Sequence, residues 1–199
     1  AEGGNLGLTQ LGRIEYAQHG GCINTDAIDN SGGVHCSDNE VNIKILLNEV
    51  VKQGRLTEQE RNQILASIQE EVAELVVSNN EVQTQAISME AFRASENLDM
   101  HGYVIQELEQ YQKLDRSLEC LPIQEVIDAR KLINQGLTRP EFAVVMAYSK
   151  MSLKQAILES SVPEDPYFYG VLEQAFPKPL RIPFKECMSG HRLKREIIA

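Results

Sequence analysis

Cysteine, positive charge and long apolar runs are all scarce in this sequence, and each shortage removes a class of function. The four cysteines, Cys22, Cys36, Cys120 and Cys187, are scattered, and no two of them form a CxxC pair. With no signal peptide ahead of them, that usage predicts a reduced, cytoplasmic protein and not a disulfide scaffold. The longest apolar runs, such as Phe142 to Tyr148, fall far short of the roughly 20 residues that a bilayer span requires. Lys and Arg number 19 against 29 Asp and Glu, a net charge of −10. A surface that acidic repels phosphate backbones, so no nucleic-acid partner and no membrane partner is expected. The single basic cluster lies between Lys185 and Arg195 and includes His191, Arg192 and Lys194. It is expected at the end of a helix, where cations complement the macrodipole. No initiator Met opens the chain, and Ala1-Glu2-Gly3-Gly4-Asn5 is a glycine-rich turn without the strand that normally precedes one. We therefore expect a piece of a longer polypeptide.

What is present is the balance of an ordinary globular protein, 42% hydrophobic and 24% charged over 199 residues. That length suits one domain, or two small ones sharing a core. Eight of the 13 glycines fall in the first forty residues. There the pattern predicts a helix over Leu8 to His19, capped by Thr9 and stopped by Gly20-Gly21. An extended piece, Cys22-Ile23-Asn24, and a second glycine loop, Asp29 to Gly33, follow. Loop, helix, strand, loop is the order of one α/β unit.

From Ser37 onward the period is helical. Val41, Ile45, Leu46 and Val50 mark one stripe, closed by Gly54. Thr57-x-x-Glu60 is a capping box that opens the next helix, and Asn79-Asn80 is expected to break it. A further long helix carries Ala86, Met89, Phe92, Met100, Tyr103, Val104, Leu108 and Tyr111. Ile123 to Asn134 reads as a helix stopped by Gly136. Thr138-Arg139-Pro140-Glu141 is a second capping box with proline in the first turn. Asp165-Pro166 begins another helix, and Pro183 to Ile198 forms the last. The expected fold is mainly α, with a short α/β remnant in front.

Two glycine loops carry the candidate chemistry. Glu2-Gly3-Gly4-Asn5-Leu6-Gly7 leads into a helix whose free amides favour a negative or polar ligand group. In the second, Asn30 stands beside Gly32 and Gly33. A flat ring can approach such a backbone closely, while the Asn amide offers both donor and acceptor. A tight structural turn in which Asn30 bonds its own backbone accounts for the residues equally well.

Glu2-Gly-Gly-Asn5, then Asp26-x-x-x-Asn30-Ser-Gly-Gly-Val34, then Ser37-x-x-Glu40, resembles the amino-acid dehydrogenase superfamily. The stretches Gly7 to Arg13, Ile23 to Asn30 and Glu40 to Leu47 look more narrowly like the large bacterial NAD-dependent glutamate dehydrogenases. The likeness extends to Gly136 to Ala143, Ala147 to Lys150 and His191 to Ile198. It implies that residues 1–36 end a Rossmann-like NAD-binding domain, truncated here, and that 37–199 form a helical C-terminal domain. It implies further that Gly4 and Asn5 lie against the nicotinamide ribose of NAD. Asn30 would face the nicotinamide and the amino-acid end of the substrate. Ser37 would match the serine that helps hold the side-chain carboxylate of glutamate. Gly4 stands where alanine is more usual, Leu6-Gly7 replaces Gly-Pro, and Asp38 and Asn39 occupy positions often aromatic.

The family's catalytic lysine, catalytic aspartate and GxGxxG turn lie upstream, and no GxGxxG occurs in these 199 residues. No catalytic residue is therefore assigned here. The enzyme activity implied, deamination of L-glutamate to 2-oxoglutarate, belongs to the parent, expected to be a homo-oligomer.

Three rival readings use other residues. His19, Cys22, His35 and Cys36 are potential metal ligands, but their spacing matches no zinc framework, and no metal is assigned. Cys22 or Cys120 could act as a nucleophile, yet neither has a recognisable His partner. His101 and Tyr103 read as surface and core residues. From Val41 onward, capped amphipathic helices also suit an interaction or regulatory module without a catalytic role.

Overall fold

The computed structural model describes residues 7–199, and every regular element among them is helical. The helices are α1 (Gln10–Gln18), α2 (Asp26–Asp29), α3 (Ser31–Lys52), α4 (Glu58–Ser67), α5 (Gln69–Phe92), α6 (Leu98–Gln112), α7 (Gln124–Leu132), α8 (Arg139–Glu159), α9 (Tyr169–Gln174), α10 (Lys178–Arg181), α11 (Lys185–Ser189) and α12 (Lys194–Ile198), with two short 3-10 turns between α8 and α9. No helix among the described residues is long and apolar enough to cross a membrane. The mainly helical expectation holds.

The chain forms two compact units, each built from separate stretches of sequence. Among the described residues, one comprises 7–31 with 80–152, and the other 32–79 with 153–199. In the first, Leu98, Ile105 and Leu108 of α6 pack with Ile127 of α7 and Val144 and Val145 of α8. A smaller cluster joins Ile28 of α2, Ile87 of α5 and Ala143 of α8. In the second, Ile43, Leu46, Leu47 and Val50 give α3 an apolar stripe at three- and four-residue spacing. Leu172, Phe176, Leu180, Phe184 and Met188, from the short C-terminal helices and the joints between them, close over it.

Local signals placed most helix ends correctly. Thr9 Oγ1 accepts from Gly12 N at 3.1 Å, and Gly20, at φ +87°, stops α1 with backbone that few other residues adopt. Thr57 and Glu60 form the complete capping box. At the second box, the Glu141 carboxylate accepts from Thr138 N at 2.7 Å and from the Thr138 hydroxyl at 2.8 Å. Glu141 also binds buried Arg130 in a two-pronged pair, both contacts at 2.8 Å. Gly136 precedes this site, and a Cβ there would lie 2.3 Å from the Ala94 carbonyl carbon, so glycine is the residue that fits.

Five expectations fail for physical reasons. Cys22-Ile23-Asn24 is irregular chain between α1 and α2, and no strand occurs among the described residues, since a lone segment has no ladder to join. The second glycine loop is absent because α3 begins at Ser31 and takes in Gly32 and Gly33. Asn79-Asn80 does not break α5, because the Asn80 amide bonds groups outside its own helix. The long helix expected from Ala86 to Tyr111 is interrupted at 93–97, and Met89, Phe92 and Tyr103 on it are exposed. The final helix divides into α11 and α12, so Lys194 and Arg195 begin a helix. Arg195 instead donates to the carbonyls of Leu158 and Ser160 at the C-terminal end of α8, where its charge complements that helix.

His191 is buried, with Nε2 donating to Asn42 O at 3.0 Å and Nδ1 accepting from Leu193 N at 3.1 Å. Both bonds use the neutral ring. Burial holds its pKa below the ordinary value of 6.5, partly offset by the Asn42 carbonyl and by Glu196. A base with a depressed folded pKa contributes stability that is complete above the unfolded pKa and lost as pH falls through the folded one. Acidification from pH 7.5 to 5.5 is therefore expected to lower the urea midpoint. His191→Gln should flatten that dependence, and an unchanged pH slope in the variant would contradict the assignment. At the other pair, Glu141→Ala leaves Arg130 buried without its counter-charge and is expected to cost about 3–5 kcal/mol of unfolding free energy. A loss under about 1 kcal/mol in urea titration would mean that the pair behaves as an exposed one.

Candidate functional site

The site is built around the turn that carries Asn30, and it begins with a buried cation. Arg13 of α1 is 1% exposed, which no guanidinium tolerates without counter-charge. Its Nη2 donates to Asp26 at 2.8 Å and its Nη1 to Asp29 at 2.8 Å and to the Asn24 carbonyl at 3.1 Å. Asp26 and Asp29 are the first and last residues of α2, so one arginine grips both ends of a four-residue helix.

Asn24 extends the grip. Its side-chain amide donates to Asp29 at 2.9 Å, and its Oδ1 accepts from Arg139 Nε at 3.1 Å. Arg139 in turn donates to Ser88 of α5 at 3.0 Å. The Thr25 hydroxyl, the natural cap of α2, donates instead to Gln10 Oε1 at 3.0 Å, and Gln10 Nε2 donates to Pro140 O at 3.1 Å. A helix too short to hold itself together is thus fixed by side chains from α1, α5 and α8.

Asn30 closes α2 in a half-buried position, its backbone N–H donating to Asp26 O at 2.9 Å. On the far side of the turn, Asn80 Nδ2 of α5 donates to Ile28 O at 2.9 Å and to Ser31 Oγ at 2.6 Å. Gly4 and Asn5 lie outside the described residues. Ser37 is an exposed residue of α3 whose hydroxyl donates to Val34 O at 2.8 Å, within its own helix. Asn30 belongs to the first compact unit and Ser37 to the second.

Gly32 is informative in a different way. It lies in α3, and a Cβ there would meet Val76 Cγ1 at 3.9 Å, an ordinary contact. Neither backbone conformation nor neighbouring packing demands a glycine at that position, although glycine in a helix costs about 1 kcal/mol relative to alanine.

Sequence reasoning missed Arg13, Arg139 and Asn80. Arg13 stands in the motif and signals itself only as a cation on an otherwise half-apolar helix. Asn80 was legible solely as a helix breaker. The rival sites fare as follows. Among the described residues, no three His, Cys, Asp or Glu side chains are grouped to hold a metal ion. His19 Nδ1 donates to its own helix at Glu15 O, 2.8 Å. Cys22 and Cys36 are exposed, and Cys120 is half-buried. His101 is 2% exposed and Tyr103 63%, the reverse of the expectation. The His101 ring bonds Glu90 Oε1 at 2.8 Å, and Asn97 Nδ2 donates to the same oxygen at 2.6 Å. Those bonds, Asn97 first, hold the Glu90 carboxyl below its ordinary pKa despite partial burial.

Comparison of the sequence with known proteins finds similarity to one group. Residues 1–90 match the family described as bacterial NAD-glutamate dehydrogenase, catalytic domain, and residues 134–199 match glutamate dehydrogenase, C-terminal. An NAD-specific glutamate dehydrogenase of Pseudomonas aeruginosa is 51% identical over 198 residues. Proteins of the same name from Halomonas elongata and Mycobacterium tuberculosis are 48% and 43% identical. These alignments take in 99–100% of the chain but 12% of the length of each relative. With both family matches and unbroken similarity from its first to its last residues, the chain belongs to the bacterial NAD-glutamate dehydrogenases, of which it represents one region.

Proposed function

We propose that this chain forms the nicotinamide-side wall of an NAD-dependent glutamate dehydrogenase that converts L-glutamate to 2-oxoglutarate and ammonia. The observation that carries the reading is 43–51% identity, along the whole chain, to three proteins named NAD-specific glutamate dehydrogenase. Two structural features suit a nicotinamide. The Asn30 turn is held from both sides, as a group that orients a ring must be. Gly32, two residues on, has no packing reason to be glycine, which fits close approach of a flat group to the backbone.

In this reading residues 1–36 end a Rossmann-like cofactor domain and 37–199 are the helical C-terminal domain. Gly4 and Asn5 lie along the nicotinamide ribose. Asn30 faces the nicotinamide and the amino-acid end of the substrate. Ser37 contributes to holding the distal carboxylate of glutamate, for which it must turn its hydroxyl proton away from Val34. NAD, when bound, accepts the hydride from the α-carbon of glutamate. The residues of this chain orient and enclose the reactants, while proton transfer falls to the family's lysine and aspartate, which are not among these 199 residues.

The exposed Phe92, Leu132 and Ile133 of the first unit, and separately Ile182 of the second, favour a second role for the helical part, as surfaces buried by other parts of the parent enzyme or by a second subunit of a homo-oligomer. Light scattering that found the full-length protein strictly monomeric at high concentration would remove the subunit contact.

The full-length polypeptide carrying this region is expected to reduce NAD with glutamate, and the 199-residue chain alone to show no 2-oxoglutarate-dependent oxidation of NADH. Turnover by the isolated chain would overturn the division of labour. Absence of glutamate-dependent NAD reduction by the full-length protein would overturn the assignment itself.

A further inference from the structure

A residue set to face a nicotinamide must be held to a fraction of an ångström, and helix-borne groups hold position better than loop-borne ones. The turn around Asn30 is only one helical turn long, so its position is inherited from what it touches. The Arg13 grip acts on its leading side, at Asp26 and Asp29. On the trailing side a single amide bridges the residues that flank Asn30. Asn80 donates from one nitrogen to the Ile28 carbonyl, two residues before Asn30, and to the Ser31 hydroxyl, one residue after it.

Asn80 is well placed for such a task. It sits in the middle of α5, a helix of 24 residues. Seven residues further on, on the same face, Ile87 is fully buried in the cluster that receives Ile28. The apolar contact and the amide clamp therefore come from one stiff element. The apolar contact of Ile28 is with Ile87 and Ala143 and does not include position 80. The amide adds something different, since it fixes both the rotation of the Ile28 peptide and the Ser31 side chain. A leucine or alanine at position 80 would keep an apolar or small side chain there but remove the hold on the trailing side of the Asn30 turn. It would also leave the Ser31 hydroxyl, 4% exposed, without this donor.

We infer that Asn80 is a positioning residue for the cofactor, acting through the Asn30 turn without touching NAD itself. The inference rests on the reading of Asn30 as the nicotinamide-facing residue, and the experiment separates the two. In the full-length enzyme, kcat/KM for NAD and the thermal midpoint are measured for Asn30→Ala, Asn80→Ala and the double variant. Asn30→Ala is expected to lower kcat/KM for NAD, and Asn80→Ala to lower it by roughly tenfold, the scale on which small misplacements act. The midpoint of Asn80→Ala should stay within a few degrees of the parent. In the double variant, Asn80→Ala should produce no further loss, because its effect passes through a side chain already removed.

If Asn30→Ala leaves NAD kinetics unchanged, the reading of Asn30 fails and this inference with it. If Asn30→Ala is impaired but Asn80→Ala is within twofold of the parent, the inference alone fails. Independent, multiplicative losses in the double variant would also overturn it, as they would mark Asn80 as a general structural residue. Should Asn80→Ala not fold, Ser31→Ala removes only one acceptor of the clamp and is expected to lower kcat/KM for NAD two- to threefold. No change in that variant, or its own failure to fold, would equally refute a positioning role.

Discussion

A guanidinium withdrawn from water must be matched by charge and by hydrogen-bond acceptors, and the front of this molecule is organised around meeting that demand for Arg13. Two carboxylates and a backbone carbonyl surround it. Because Asp26 and Asp29 lie on the same short helix, the electrostatic requirement becomes a geometric one. The α2 turn cannot drift without exposing a buried charge to an unfavourable environment. Everything assigned to the Asn30 turn depends on that coupling. The Asn24–Arg139 link and the Asn80 clamp refine a position that the ion pairs impose.

The same pattern of a short polar turn fixed by a buried pair recurs at the start of α8. Glu141 serves at once as a helix cap for Thr138 and as the counter-charge of Arg130. A single carboxylate thereby ties the α7–α8 joint, next to the point where Gly136 passes against Ala94. Beside the apolar clusters of the first compact unit, the paired charges supply directionality that packing alone would leave open.

Features governed by neighbours in sequence were legible before any coordinates. Thr9, Gly20, the Thr57–Glu60 box and the Thr138–Glu141 box mark helix ends because a cap is satisfied within three or four residues. Features governed by partners distant in sequence were not. Asn80 has the identity of a breaker, and only its bonds 49 and 52 residues away explain why α5 runs through it. Gly32 and Gly33 have the identity of a loop and yet are helical, which composition could not reveal. The stripe on α3 was read as Val41, Ile45, Leu46 and Val50, whereas Ile43 and Leu47 are buried and Val41 is exposed, a register set by the C-terminal helices. Of the candidate site, Asn30 and Ser37 came from motif likeness, while the side chains that hold the Asn30 turn were invisible without the fold.

Each compact unit is assembled from two stretches separated by dozens of residues, and this has a bearing on how the chain is made. As the polypeptide leaves the ribosome, the first unit cannot close until residue 152 has emerged, and the second waits for the final helices. No single cut in the sequence separates the two units: trimming from the front strips partners from the first core, and trimming from the rear strips them from the second. The two cores are accordingly interleaved along the sequence, and insertions are best tolerated at the exposed joints between helices.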